Sequence, residues 1–269
     1  MYCPAMVLAG RPLEQSAPAV FRLAADPLRW RLLSELARSD RRVRELCRVL
    51  EAPQNLVSYH LGRLRAAGVV SSRRSAADGR DSYYALDLAR CGELLAVGAA
   101  SLHPALGRPA SPPRTWRASD STSAQILFLC TGNSARSQIA QALVEEMTGG
   151  AVRAASAGSD PKPLHPNAVR VMAERGVDIS GRPTKSLTRF ARSRFDRVIT
   201  LCDKVREICP EFPHAPITAH WSIADPASAG GNDKATYPVF EHVADEIESR
   251  VALLLADLRT RPLERTHRA

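Results

Sequence analysis

Apolar residues recur at helical spacing over residues 19–37 and again over the shorter stretch 43–50. Ala52-Pro-Gln-Asn interrupts the pattern, which resumes over 56–67 and stops at Gly68. Residues 69–74 and 82–86 then read as two strands around Ala77-Asp-Gly-Arg80, a hairpin turn signal, and 88–100 returns to helical spacing. Helices followed by a β-hairpin predict a winged helix-turn-helix. Further on, strands are expected at 125–129, 152–156, 197–201 and 217–220. Helices intervene at about 137–148, 165–175 and 185–194, and a long one at 237–258 closes the domain. Alternation of this kind predicts an α/β, doubly wound parallel sheet with its ligand site at strand carboxyl ends. Between the halves, residues 98–123 are rich in Pro, Ala and Ser without sustained periodicity and read as a linker. The expected organisation is an arm (1–16), a mainly α winged helix-turn-helix (17–97), the linker (98–123), the α/β domain (124–260) and a tail (261–269).

Bulk properties narrow the class. The 269 residues suffice for two modest domains. No apolar run approaches membrane-spanning length, and residues 1–11 are too short and too poor in apolar residues for a signal peptide, so a cytoplasmic protein with no membrane partner is expected. Six cysteines in a chain of this size do not form a secreted disulfide scaffold; in a reducing compartment they point to catalysis, redox cycling or metal binding. The net charge of +9 is concentrated at one end: residues 1–120 carry 18 Arg/Lys against 11 Asp/Glu, whereas the rest is nearly neutral. That asymmetry assigns a polyanion to the first half alone.

The densest chemistry is Phe128-Leu-Cys-Thr-Gly-Asn-Ser-Ala-Arg-Ser137. A buried strand ends at Cys130, a helix starts near Gln138, and a short polar loop joins them. The loop's N–H groups (Thr131, Gly132, Asn133, Ser134, Ala135) and the helix N-terminus make a cradle for an oxyanion. Its positive field favours a thiolate at Cys130, and Arg136 adds a planar fork for two oxygens of a tetrahedral anion. Alone, this arrangement fits phosphate and other tetrahedral oxyanions equally.

The N-terminal half resembles the ArsR/SmtB family of winged-helix repressors over residues 17–97. The resemblance is carried by Leu23-Ala-Ala-Asp-Pro-Leu-Arg-Trp-Arg-Leu-Leu, Glu45-Leu and Val57-Ser-Tyr-His-Leu-Gly-Arg-Leu-Arg-Ala-Ala-Gly-Val-Val70. It implies operator DNA as partner and a homodimer packed through the first and last helices of the domain. Helix 56–67 would enter the major groove, presenting Gln54, Asn55, Ser58 and Tyr59 near its start. Arg63, Arg65 and the wing residues Arg73, Arg74 and Arg80 would contact phosphates. Many arsenic-sensing members place a Cys-x-Cys pair just before the Glu-Leu; here those positions are Arg42 and Arg44. Arginine cannot bind a soft metalloid, which leaves Cys3, Cys47 and Cys91 as either a displaced thiol site or small apolar residues.

The C-terminal half resembles thioredoxin-coupled arsenate reductases of the low-molecular-weight protein tyrosine phosphatase fold. Three motifs carry this: the Cys130–Ser137 loop, Thr200-Leu-Cys-Asp-Lys-Val-Arg-Glu-Ile-Cys-Pro210, and Trp221-Ser-Ile-Ala-Asp-Pro-Ala227. Phosphatases of this fold usually have proline where this chain has Gln138, and tyrosines where it has Ala227-Ser-Ala; they have no need of Cys202 and Cys209. The resemblance implies that Cys130 attacks arsenate (or binds phosphate or sulfate in its place), assisted by Ser137 and Arg136, while a partly buried Asp225 protonates the leaving oxygen. Cys202 then attacks Cys130, and Cys209 attacks Cys202, so that thioredoxin or an equivalent thiol reductant can regenerate the enzyme. Residues seven apart in a helix lie about 10 Å apart, whereas a disulfide needs Cα atoms within about 7 Å, so oxidation is expected to unwind 202–209. Asn133 is expected to shape the loop, Asp203 to cap a helix, and His214 and His220 to be structural. No Cys/His spacing makes a zinc site, Gln141 replaces an acidic potassium ligand of some relatives, and no bound cofactor or metal is expected. Two rivals stand beside the reductase: a phosphatase fused to a regulator, and a transcription factor with a non-catalytic oxyanion-sensing domain.

Overall fold

The computed structural model describes residues 17–77, 79–107, 124–208 and 217–260. The expected arm, most of the linker, the tail, and with them Cys3, Cys209 and His214, lie outside these residues. The N-terminal unit runs α1 (Ala19–Ala24), α2 (Pro27–Leu36), β1 (Arg41–Arg42), α3 (Val43–Leu50), α4 (Gln54–Ala66), β2 (Val70–Arg74), β3 (Ser82–Leu86) and α5 (Leu88–Leu102). Strand β3 lies between β1 and β2 in an antiparallel sheet. Leu32, Leu46, Val57, Leu61 and Leu64 form the core against which the hairpin packs.

Three details differ from the pattern-based expectation. The periodicity over 19–37 is two helices, because Pro27 begins a new one and Asp26 caps it, accepting from the N–H groups of Leu28 and Arg29. Helix α5 continues to Leu102, and a 3-10 turn follows at Pro104–Gly107, so the first ten residues assigned to the linker are ordered. The helix expected at 185–194 is a single 3-10 turn, Leu187–Phe190.

The C-terminal unit runs β4 (Gln125–Cys130), α6 (Arg136–Thr148), β5 (Arg153–Gly158), α7 (Pro166–Ala173), β6 (Arg197–Thr200), α8 (Asp203–Ile208), β7 (Ile217–His220) and α9 (Asp233–Thr260). Its sheet is parallel throughout, ordered β5-β4-β6-β7. Strand β4 is buried from Ile126 to Cys130, as a central strand covered on both faces must be. Because the chain goes from β4 to one side (β5) and then to the other (β6), the topological switch point lies at the carboxyl end of β4. Cys130 is its last residue.

Candidate active site

The loop after β4 is held from outside by its own carbonyl groups. Those of Cys130, Thr131, Gly132 and Ser134 accept from the N–H groups of Ser159, Asp160, Lys162 and His165. With its carbonyls tied outward, the loop can turn N–H groups toward the sulfur: the Asn133 N–H donates to Cys130 Sγ at 3.2 Å. Gly158, at the end of β5, allows this close approach, since a Cβ there would collide with the Thr131 carbonyl and the Asn133 nitrogen. Asn133 adopts a left-handed φ of 47°. Its side chain stabilises that turn, donating to Ser137 Oγ and accepting from Gln138 Nε2 and the Lys185 N–H. Ser137 Oγ lies 3.0 Å from Cys130 Sγ. Helix α6 starts without a side-chain cap, which leaves its N-terminus for an anion.

Arg136, although 5% exposed, is spanned by the acid loop: Nη1 donates to the Ile223 carbonyl at 3.0 Å and Nη2 pairs with Asp225 at 2.9 Å. Asp225 is therefore not the partly buried acid expected from the motif. Its side chain is 43% exposed and ion-paired with the residue that is to hold the oxyanion. On the other side of the loop, buried Cys202 sits 3.3 Å from Thr131 Oγ1. Burial pushes the Cys202 thiol up, against the opposing pull of Arg136 and the Thr131 hydroxyl. The structure thus gathers Cys130, Thr131, Asn133, Arg136, Ser137, Cys202 and Asp225 around one spot. Gln141, by contrast, is turned to Ser156 and Glu145. No group of three or more metal-ligating side chains occurs among the described residues.

Residues 125–263 match the family model "Low molecular weight phosphotyrosine protein phosphatase". The chain belongs to this family. Among its curated relatives are the arsenate reductases of Halalkalibacterium halodurans (39% identical over 126 residues, 47% of this chain and 91% of that protein) and Bacillus subtilis strain 168 (38%, with the same coverage). A solved structure described as "An arsenate reductase in the phosphate binding state" is 30% identical and covers 50% of this chain and 98% of its own, with a TM-score of 0.44. Residues 26–72 match the model "Bacterial regulatory protein, arsR family". An ArsR-family helix-turn-helix region is thus fused to a phosphatase-family domain with reductase relatives.

In the ArsR-like part, Gln54, Asn55, Ser58, Tyr59 and Arg63 line the exposed side of α4, and Arg74 and Arg80 are exposed on the wing. Arg65 reaches Ser72. Arg73 is placed elsewhere: it points into the second domain. Its Nη2 pairs with Asp203 at 3.0 Å and meets Ser222 Oγ, while Nε donates to the Ser222 carbonyl at 3.2 Å. Cys47 and Cys91 are free, partly buried thiols packed against the domain core.

Asp203 is the residue that sequence reasoning undervalued. Expected to cap a helix, it stands at the start of α8 with its carboxylate fully buried, accepting from His220 Nε2, Ser222 Oγ, Arg73 and the Ala76 N–H. Burial alone would push this carboxyl up, but those hydrogen bonds and the Arg73 charge outweigh it and hold it well below the usual carboxylate range. Asp40, just before β1, is equally buried; it accepts from the Ser222 N–H at 2.7 Å and from Arg250 at 2.9 Å, and its own N–H donates to the His220 carbonyl. Ser39 Oγ accepts the His220 N–H, so the Ser39-Asp40 segment covers the outer edge of β7.

Proposed function

We propose that the C-terminal domain reduces arsenate to arsenite and that the N-terminal domain binds operator DNA as a homodimer. The observation that carries the reductase reading is Cys202, a second buried thiol against Thr131 of the anion loop, for which ester hydrolysis has no use. Arsenate binds in the loop, where its oxygens take over the Arg136 fork from Asp225 and the N–H groups of the cradle. The Cys130 thiolate, supported by Ser137 and the Asn133 N–H, attacks arsenic. Asp225, freed from Arg136, takes up a proton that enters on the hydrogen arsenate and passes it to the departing oxygen, which leaves as water. Cys202 attacks Cys130 sulfur; the S–As bond breaks with its electron pair going to arsenic, so As(V) becomes As(III) and a Cys130–Cys202 disulfide forms. Cys209 then attacks Cys202, releasing Cys130 as thiolate, and the Cys202–Cys209 disulfide is reduced by a dithiol protein of the thioredoxin kind.

Exposed Phe21 on α1 and Leu95, Val97 and Leu102 on α5 support dimerisation through the first and last helices of the domain. The exposed polar side of α4 supports entry into a major groove.

Arsenite release is measured with thioredoxin and its reductase for wild type and three serine variants. Cys130→Ser and Cys202→Ser are expected to release none, and Cys209→Ser to stop after one turnover. Steady hydrolysis of an aryl phosphate by wild type without arsenite release, unaffected by Cys202→Ser, would instead establish the phosphatase.

A further inference from the structure

The anion loop is tied down within its own domain, whereas the two segments that close over it, the acid loop 221–225 and helix α8, are gripped from the winged helix. On α8 the contacts fall on one face. Asp203, Arg206 and Glu207, at helical positions i, i+3 and i+4, meet Arg73, Glu45 and Ser75 respectively. In the wound helix these three side chains share one face. On the acid loop, Ser222 gives its N–H to Asp40, while its carbonyl and hydroxyl both face Arg73. A single guanidinium therefore bridges the start of α8 and the acid loop. One residue further, the Ile223 carbonyl receives Arg136, which in turn holds Asp225.

We propose that Arg73 and Asp40 of the winged helix are positioning residues of the reductase site, setting the acid loop that carries Asp225 and keeping α8 wound with Cys202 against the anion loop. This rests on the reductase reading above. Arg73 and Asp40 touch neither Cys130 nor Arg136, so they act through Ser222 and Asp203. Both contacts are buried: Asp203 and Ser222 on the reductase side and Asp40 on the winged-helix side are almost wholly excluded from solvent, and the ring of Tyr83 in β3 packs on His220 beside them, 4.6 Å between centroids. Charges excluded from water in this way need their partners, and two of those that Asp203 has, Arg73 and the Ala76 N–H, come from the wing.

The test uses the full-length reduced protein as wild type, Arg73→Gln, Arg73→Lys and Asp40→Asn, with Arg31→Gln, an exposed α2 substitution, as control. Amide exchange and arsenate-reduction kinetics are measured on each. Exchange over 203–207 and 221–225 is expected to rise about tenfold in Arg73→Gln, and over 221–225 in Asp40→Asn, with β4 and α6 unchanged. In both variants kcat is expected to fall about tenfold with KM for arsenate within about twofold, because the anion loop is intact and only steps after binding are misplaced: proton delivery in both, and attack by Cys202 as well in Arg73→Gln. Arg73→Lys should recover part of the loss. Wild-type exchange in these segments, or an equal rise in β4 and α6 that marks general loosening, would overturn the proposal, as would a rise in KM with kcat unchanged. If wild type releases no arsenite, the reductase reading fails by that result alone, and the exchange pattern still decides whether the winged helix sets the two segments.

Discussion

The two halves of the active site are built on opposite plans. The anion loop is local: one strand, one turn and one helix N-terminus, with every carbonyl anchor supplied by the next thirty-odd residues of the same domain. The closing half is non-local. Its acid loop and α8 depend on Asp40 and Arg73, well over a hundred residues earlier in a domain of different ancestry and different sheet. The lesson is that the anion loop is fixed within the phosphatase-like domain, while the acid loop and α8 that close over it are also held by the regulator, so that on the proposed reading proton delivery and thiol relay depend on both domains.

Substitutions can separate the halves. The largest effect is expected at the shared one: Asp203→Asn removes a buried charge that faces Arg73 and should cost about 3 kcal/mol in chemical denaturation at neutral pH. The sign with pH follows from the same group. Its carboxyl is held low in the folded protein, so its contribution is present above about pH 4, where the unfolded carboxyl is ionised, and is lost as pH falls below that. Wild type should therefore lose stability between neutral pH and pH 3 more steeply than Asp203→Asn. In the local half, Gly158→Ala forces a methyl group against the Thr131 carbonyl and should cost about 1–3 kcal/mol, accompanied by weaker phosphate binding in calorimetry and no change in exchange over 203–207.

Smaller effects concern the junction of the two. Because burial pushes the Cys202 thiol up, formation of the Cys130–Cys202 disulfide should speed up about tenfold per pH unit above neutrality in rapid-quench measurements. Cys202 ionises more readily as pH rises, so the rate increases in that direction. The smallest effect is on DNA. A guanidinium that holds Asp203 cannot hold a phosphate, so Asp203→Asn should tighten binding of a duplex to the full chain by about threefold in fluorescence anisotropy and steepen its salt dependence.

How far the sequence reveals this molecule follows the same division. The hairpin, helix α4 and the parallel sheet are legible because each depends on periodicity and turn residues within a short window. The anion loop is legible for the same reason: Cys130, Asn133, Arg136 and Ser137 are neighbours in sequence and in space. Pro27 shows why one long apolar pattern is two helices, a break visible in the chain but outweighed by the periodicity on both sides. Asp225 and Asp203 show what the motifs withhold. Asp225 lies in the expected acid loop, but its pairing with Arg136 depends on where that loop is carried by β7. Asp203 looks like a helix cap because its decisive partners, Arg73 and the Ala76 N–H, belong to a wing that sequence reasoning assigned to DNA. Burial between domains leaves no periodic signature in either partner.

The most direct test of the central claim is a single turnover without external reductant. Fully reduced wild-type protein is mixed with excess arsenate, and arsenite and free thiols are counted. The account predicts about one arsenite per chain and the loss of two thiols, with neither in Cys202→Ser. Binding of arsenate with no arsenite formed and all thiols retained would contradict it.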